Sequence, residues 1–324
     1  MLFRFLPAFA LLAAPVAAQH GRHDPSAAVP AAARAQLDEL ARAVARYRDV
    51  RAAEADGWEP SPIGKEDSPL MGEHWVRKGA PEYEPGGPLD FAEPSNLQYA
   101  WINGRRELVG VSYVVRIAPG DPLPEGFAGR ADEWHVHDVE RAVAAATEGR
   151  WLLRILANGW LDANYRSKGD NRSRLAMVHA WVTVPSPDGV FSTNNRVIPY
   201  LRVGLPAAFA GGGSAEAALG VNLAAKDGCA NTLNGALWIA HAKDAQKRSL
   251  LAACGALGAE VRRSFAGGDA RRVNAAGEAA WARLEAAKRA TLNADQLRRM
   301  ESITEHDPMH HENHDGGHHG HHGS

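Results

Sequence analysis

Four histidines offer the first chemistry in this chain. His135 and His137 stand two positions apart in EWHVHD. In an extended strand, residues two apart share a face, so both imidazoles look the same way. Met177 and His179 repeat that spacing in LAMVHAWV, and His74 lies in MGEHWV. Imidazole is a borderline ligand that suits zinc, copper, nickel and iron. Three imidazoles around one ion leave a fourth position open, and four close it. The expectation is a divalent transition metal, copper or zinc, held by His74, His135, His137 and His179. Met71 and Met177 would add thioether character, which favours Cu(I). Glu73, Glu133 and Asp138 would orient imidazoles, ligate, or act as general base toward a metal-bound water. The alternative is structural: histidines that hydrogen-bond and stack in a groove with Trp75, Trp134 and Trp181.

The other histidines fall elsewhere. Of the 15, His20 and His23 lie in a polar N-terminal stretch and His241 in a helical pattern. Eight more stand in the closing segment HDPMHHENHDGGHHGHHGS. His310, His311, His314, His318, His319, His321 and His322 are therefore candidate metal ligands in a low-complexity tail that cannot bury a core. Such a tail binds divalent metals weakly and in several geometries, and its expected role is to collect or buffer metal. Glu312, Asn313 and Asp315 interrupt the run, which favours a native tail over a purification tag. No HExxH, GxSxG, CxxCH or pre-helical GxGxxG pattern occurs, so the sequence names neither a catalytic residue nor a substrate.

These groups need a scaffold. Residues 32–56 show apolar positions at helical spacing, and Gly57 ends them. Residues 58–78 read as a Pro- and Gly-punctuated loop that delivers Met71 and His74. Strands are expected at 97–102 and 107–117, joined by the hairpin pair Asn103-Gly104. Arg105 and Arg106 read as its solvated tip. Asp138 would cap a helix over 139–157, and a strand follows at 175–184. After the glycines at 211–213, Ala, Leu, Arg and Glu dominate. Helices are expected at 215–225, 228–243, 245–265 and 274–305.

Composition bounds the class. The 324 residues are 45% hydrophobic and 23% charged, as in an ordinary globular chain. A net charge of −2 supplies no basic field for nucleic acid. MLFRFLPAFALLAAPVAAQ has a positive start, a short apolar core and small residues before a cut after Ala18, the pattern of a signal peptide. No further stretch suggests a membrane span after that cleavage, so a secreted or periplasmic protein is expected. Export permits a bridge between Cys229 and Cys254, slightly favoured over two buried thiols. The expected division is a signal peptide at 1–18, a flexible leader at 19–34, an α+β domain with the His cluster at 35–210, a helical region at 214–305 and a disordered His-rich tail at 306–324. The expected fold is α+β: a small antiparallel sheet with flanking helices, then helices alone.

ARYRDVRAAEADGW, MGEHWV, EPSNLQYAWINGRRELVGVSYVV and VHAWVTVPSPDGVFSTNN occur in that order. Together they resemble an uncharacterised family of secreted bacterial proteins that carry AxADGY, MGxHYxN, a P-x-x-L-x-Y run, L-x-GVEY and HVWxWxxNPxGxFxxWNP. The resemblance covers roughly residues 35–200 and supplies no activity. It places His74 and His179 on family positions, with His135 and His137 where the family tends to carry a histidine. Arg77 or Lys78 replaces the family's Asn, Ser112 stands where it has Glu, and Asn194-Asn195 replaces WNP. TLNADQLRRMESI also resembles a helix of periplasmic metal-stress proteins. The leading expectation is an exported metal-binding or metal-handling protein. The alternatives are a metal-dependent enzyme of unstated reaction, or an envelope structural protein whose histidines are not ligands.

Overall fold

The computed structural model describes residues 29–61, 67–129, 132–162 and 174–301. The expected signal peptide at 1–18 and His-rich tail at 306–324 lie outside the described residues.

The chain opens with α1 (Ala31–Val44), a 3-10 turn (Ala45–Arg48) and α2 (Val50–Ala55). The single helix expected over 32–56 is interrupted because Asp49 adopts an extended backbone and caps α2, its carboxylate accepting from the Arg51 amide. Strands follow that were read as loop: β1 (Trp58–Pro60) and β2 (Glu73–Arg77). Then come β3 (Asn96–Ile102) and β4 (Arg105–Ile117). Their turn holds Asn103 at φ 50° and Gly104 at φ 78°, as a two-residue hairpin loop requires.

β5 (His135–Asp138) runs straight into α3 (Val139–Thr147), and the Asp138 carboxylate accepts from the Arg141 amide at 2.8 Å as the cap. The helix expected over 139–157 is two helices, because Gly149 takes φ +69° before α4 (Trp151–Leu161) begins. β6 (Arg174–Ala180) ends sooner than the expected strand at 175–184, and α5 (Val197–Arg202) follows it within the expected α+β domain. Five helices follow: α6 (Ala215–Asn222), α7 (Gly228–Ile239), α8 (Asp244–Arg263), α9 (Ala270–Thr291) and α10 (Ala294–Glu301). The fold is α+β, as expected.

The six strands form one antiparallel sheet in the order β1-β2-β3-β4-β6-β5. One face packs on the N-terminal helices, with Leu97, Tyr99, Val111 and Tyr113 against Leu40 and Val44. The other face meets α5, where Ile198 packs with Ala100, Ile102, Val109 and Trp181. The later helices share a core with α3, built from Val139, Val143, Leu219, Leu237, Leu257 and Leu284 among others. Cys229 and Cys254 are bridged, tying α7 to α8 with a Cα–Cα distance of 5.8 Å. Closing that loop contributes roughly 3 kcal/mol in the chain-entropy picture. Among the described residues, no helix is long and apolar enough to cross a membrane.

Candidate metal centre

Strand register puts all four histidines on one face of the sheet. Gly110, Ser112, Val114 and Arg116 alternate along β4 and so share a side. Gly110 opposes Gln98, which opposes His74. Ser112 opposes His179. Val114 opposes Met177, which opposes His135. Arg116 opposes Leu175, which opposes His137. Directly opposed residues in an antiparallel pair project to the same side, so the histidines of β2, β6 and β5 converge above the sheet face that carries α5.

The rings form a continuous row. His74 and His179 have centroids 5.9 Å apart, His179 and His135 5.1 Å, and His135 and His137 4.9 Å. β2 and β6 are three strand steps apart, about 14 Å at the usual spacing. The first contact therefore needs room over the central strands. Gly110 provides it: a methyl there would come within 2.7 Å of the Trp181 ring and 3.2 Å of the Gln98 amide oxygen. A register shift between Gln98 and Tyr99 adds local twist at the same place.

Gln98, fully buried, is the residue that the motif reading missed. Its amide nitrogen lies 2.7 Å from Nδ1 of His179 and 3.3 Å from Nε2 of His74. Its amide oxygen is buried with no hydrogen-bond partner. Turning the amide by half a rotation would let the oxygen accept from both rings instead, so this one side chain selects the tautomers of two histidines. The signal was present: polar Asn96 and Gln98 alternate with apolar Leu97 and Tyr99, which marks a polar strip on one face of the strand. Beside it, Asn96 donates to the Ser112 hydroxyl at 2.9 Å.

Burial holds His74 neutral. Desolvation pushes its pKa down to about 4, so at neutral pH the ring keeps the lone pair that a metal ligand needs. By exposed area His179 and His135 are buried and His74 is partly buried.

Two of the carboxylates expected to assist, Glu73 and Asp138, are committed elsewhere. Glu73 points to the opposite face from His74 and accepts from Trp75 Nε1 at 3.0 Å, Trp101 Nε1 at 3.0 Å and Arg106 Nε at 2.8 Å. Arg106 is accordingly no solvated hairpin tip. Asp138 caps α3 and faces Arg174 at 3.8 Å. Of the three tryptophans expected to line the groove, Trp181 does so, its ring 5.4 Å from that of His179. Trp75 lies in the core on the opposite face, and Trp134 donates to Asp132 at 2.8 Å. Met177 sits directly across from His135, whereas Met71 packs with Trp181 and Ile198 in an apolar cluster. His241 lies just past α7 at φ +53°, its Nε2 2.9 Å from the Ala146 carbonyl, so it joins α7 to α3 rather than the site.

Among the described residues, no three His, Cys, Asp or Glu side chains stand together at ligand spacing. The four rings are neighbours in series, and converging on one ion requires rotation of the imidazoles about their side-chain bonds. The tail candidates His310, His311, His314, His318, His319, His321 and His322 lie outside the described residues. A scan against protein-family models, a search of the curated proteins and a search of the solved structures each found no match to this chain.

Proposed function

We propose that this is an exported metal-binding or metal-handling protein that holds one copper or zinc ion among His74, His135, His137 and His179. The ring spacing carries the reading. With metal–nitrogen bonds of about 2.0–2.1 Å, two imidazoles on one tetrahedral ion have centroids roughly 5 Å apart. The observed separations are 4.9, 5.1 and 5.9 Å. A His74 imidazole kept neutral by desolvation, and a bridging amide that orients two rings, suit such a centre. Met177 beside His135 supplies a thioether that would favour Cu(I), while imidazoles alone suit zinc. The histidine-rich tail would collect metal at lower affinity and release it below about pH 6, as imidazoles protonate. The N-terminal segment MLFRFLPAFALLAAPVAA would direct export.

Metal analysis after exhaustive dialysis tests the reading on a chain ended at Thr304, which removes the tail. One equivalent of metal is expected, and His135→Ala/His137→Ala should abolish it. A metal-free truncated chain that is still folded by circular dichroism would leave the tail as the sole binder and overturn the proposal.

A further inference from the structure

Four large apolar side chains of α4 stand in the open. Trp151, Leu152, Ile155 and Leu156 are 69, 60, 60 and 56% exposed. At this spacing they form one continuous side of the helix, while Ala157 and Leu161 on the other side enter the helical core. A contiguous apolar patch of this kind on a protein surface marks an interaction site.

Along the helix itself the charge has one sign. From Trp151 to Leu161 the helix has no acidic residue, and exposed Arg154 is its one charged residue. Arg150 stands at its N-terminal end. There Arg298 and Arg299 both bond the Glu148 carboxylate, at 3.3 and 3.1 Å. Two guanidinium groups thus meet one carboxylate near the start of the apolar strip, while that of Arg150 lies 5.7 Å from the Trp238 ring centroid.

We propose that α4 docks this protein on an anionic lipid surface. The helix lies in the headgroup plane, with Trp151, Leu152, Ile155 and Leu156 in the acyl boundary and the exposed Arg154 and Arg298 against lipid phosphate. Trp favours that boundary, and a helix with an apolar face and a cationic margin binds there without spanning. The size of the patch argues against a second copy as the occupant: four side chains fall well short of the about 20–30 residues a side of a standard protein interface. This inference is independent of the metal proposal.

Flotation of the full chain with vesicles tests it. The chain should rise with vesicles of phosphatidylglycerol and phosphatidylcholine, less with phosphatidylcholine alone, and less as salt is raised. Leu152→Ser/Ile155→Ser should lower the bound fraction about tenfold or more, while Leu152→Met/Ile155→Met should retain it. Every variant keeps residues 1–18, so any binding by that segment cancels in the comparison. Brominated lipid should quench wild-type fluorescence more than that of Trp151→Phe. Absent binding, or binding that the serine pair leaves unchanged, overturns the proposal. So does a dimer in analytical ultracentrifugation that the serine pair dissolves, which would assign the face to a second copy.

Discussion

The amide nitrogen of Gln98 lies 2.7 Å from Nδ1 of His179, across residues 81 apart in the chain. The same amide reaches His74, so one buried group on β3 sets the orientation of imidazoles from β2 and β6. Groups that hold a ligand by its second nitrogen typically govern 10–100-fold in metal affinity. Gln98→Leu keeps the bulk and removes the amide. It should weaken zinc binding by roughly 10–100-fold in competition with a chromophoric chelator. Unchanged affinity would mean that the amide positions neither ring.

Burial of His74 also predicts how the metal-free protein responds to acid. Its pKa falls from 6.5 to about 4 on folding, chiefly through desolvation. Between these values the unfolded chain binds the proton and the folded chain does not. Stability should therefore decrease as pH falls from about 6.5 toward 4, and the loss should be complete below that window. Urea denaturation followed across this range should show the slope, and His74→Gln should flatten part of it. An identical slope in His74→Gln would assign the acid sensitivity elsewhere. Partly buried His241, whose pKa is also lowered by burial, is the next group to test.

A buried ion pair fixes α5 against the segment before β2. Arg202 donates to the Asp67 carboxylate, to the Pro69 carbonyl at 2.9 Å and to Asn222 Oδ1 at 2.8 Å. Arg202→Met should cost about 3–5 kcal/mol, because the buried Asp67 carboxyl loses its partner. Adding Asp67→Asn should recover part of that loss. Denaturation midpoints for the single and double variants measure both, and no recovery would show that the cost lies in Arg202's other contacts.

α6 and α9 meet at glycine. A methyl on Gly277 would run into the Ala217 carbonyl, and one on Gly220 into that of Gly277. Gly277→Ala should cost about 1–3 kcal/mol or more through overpacking. On α8, a methyl on Gly255 would meet nothing within 4 Å. Gly255→Ala should stabilise by about 0.5–1 kcal/mol through helix propensity. Thermal melts of the two variants should move in opposite directions.

Some of this was legible in the sequence because strand geometry has a short period. His135 and His137 lie two apart, and the structure places them on one face. Asn103-Gly104 marked the hairpin for the same local reason. What the sequence hid depended on long-range pairing. Glu73–Arg77 read as loop amid Pro and Gly, yet it pairs with β3 and delivers His74. Gln98 looked like strand filler until its register with His74 was known. Glu73, two residues from the Trp75 that it bonds, seemed close to the candidate ligands; strand alternation turns it to the far side. The apolar pattern of residues 139–157 ran on through a helix break, because Gly149 gives no periodic signal of its own.

Anomalous diffraction from crystals soaked in zinc tests the central claim most directly, on the chain ended at Thr304. The account predicts a single peak above the sheet, about 2.0–2.1 Å from a nitrogen of at least three of His74, His135, His137 and His179. A fully loaded crystal with no peak among these rings, and their imidazoles still in the row described above, would contradict it.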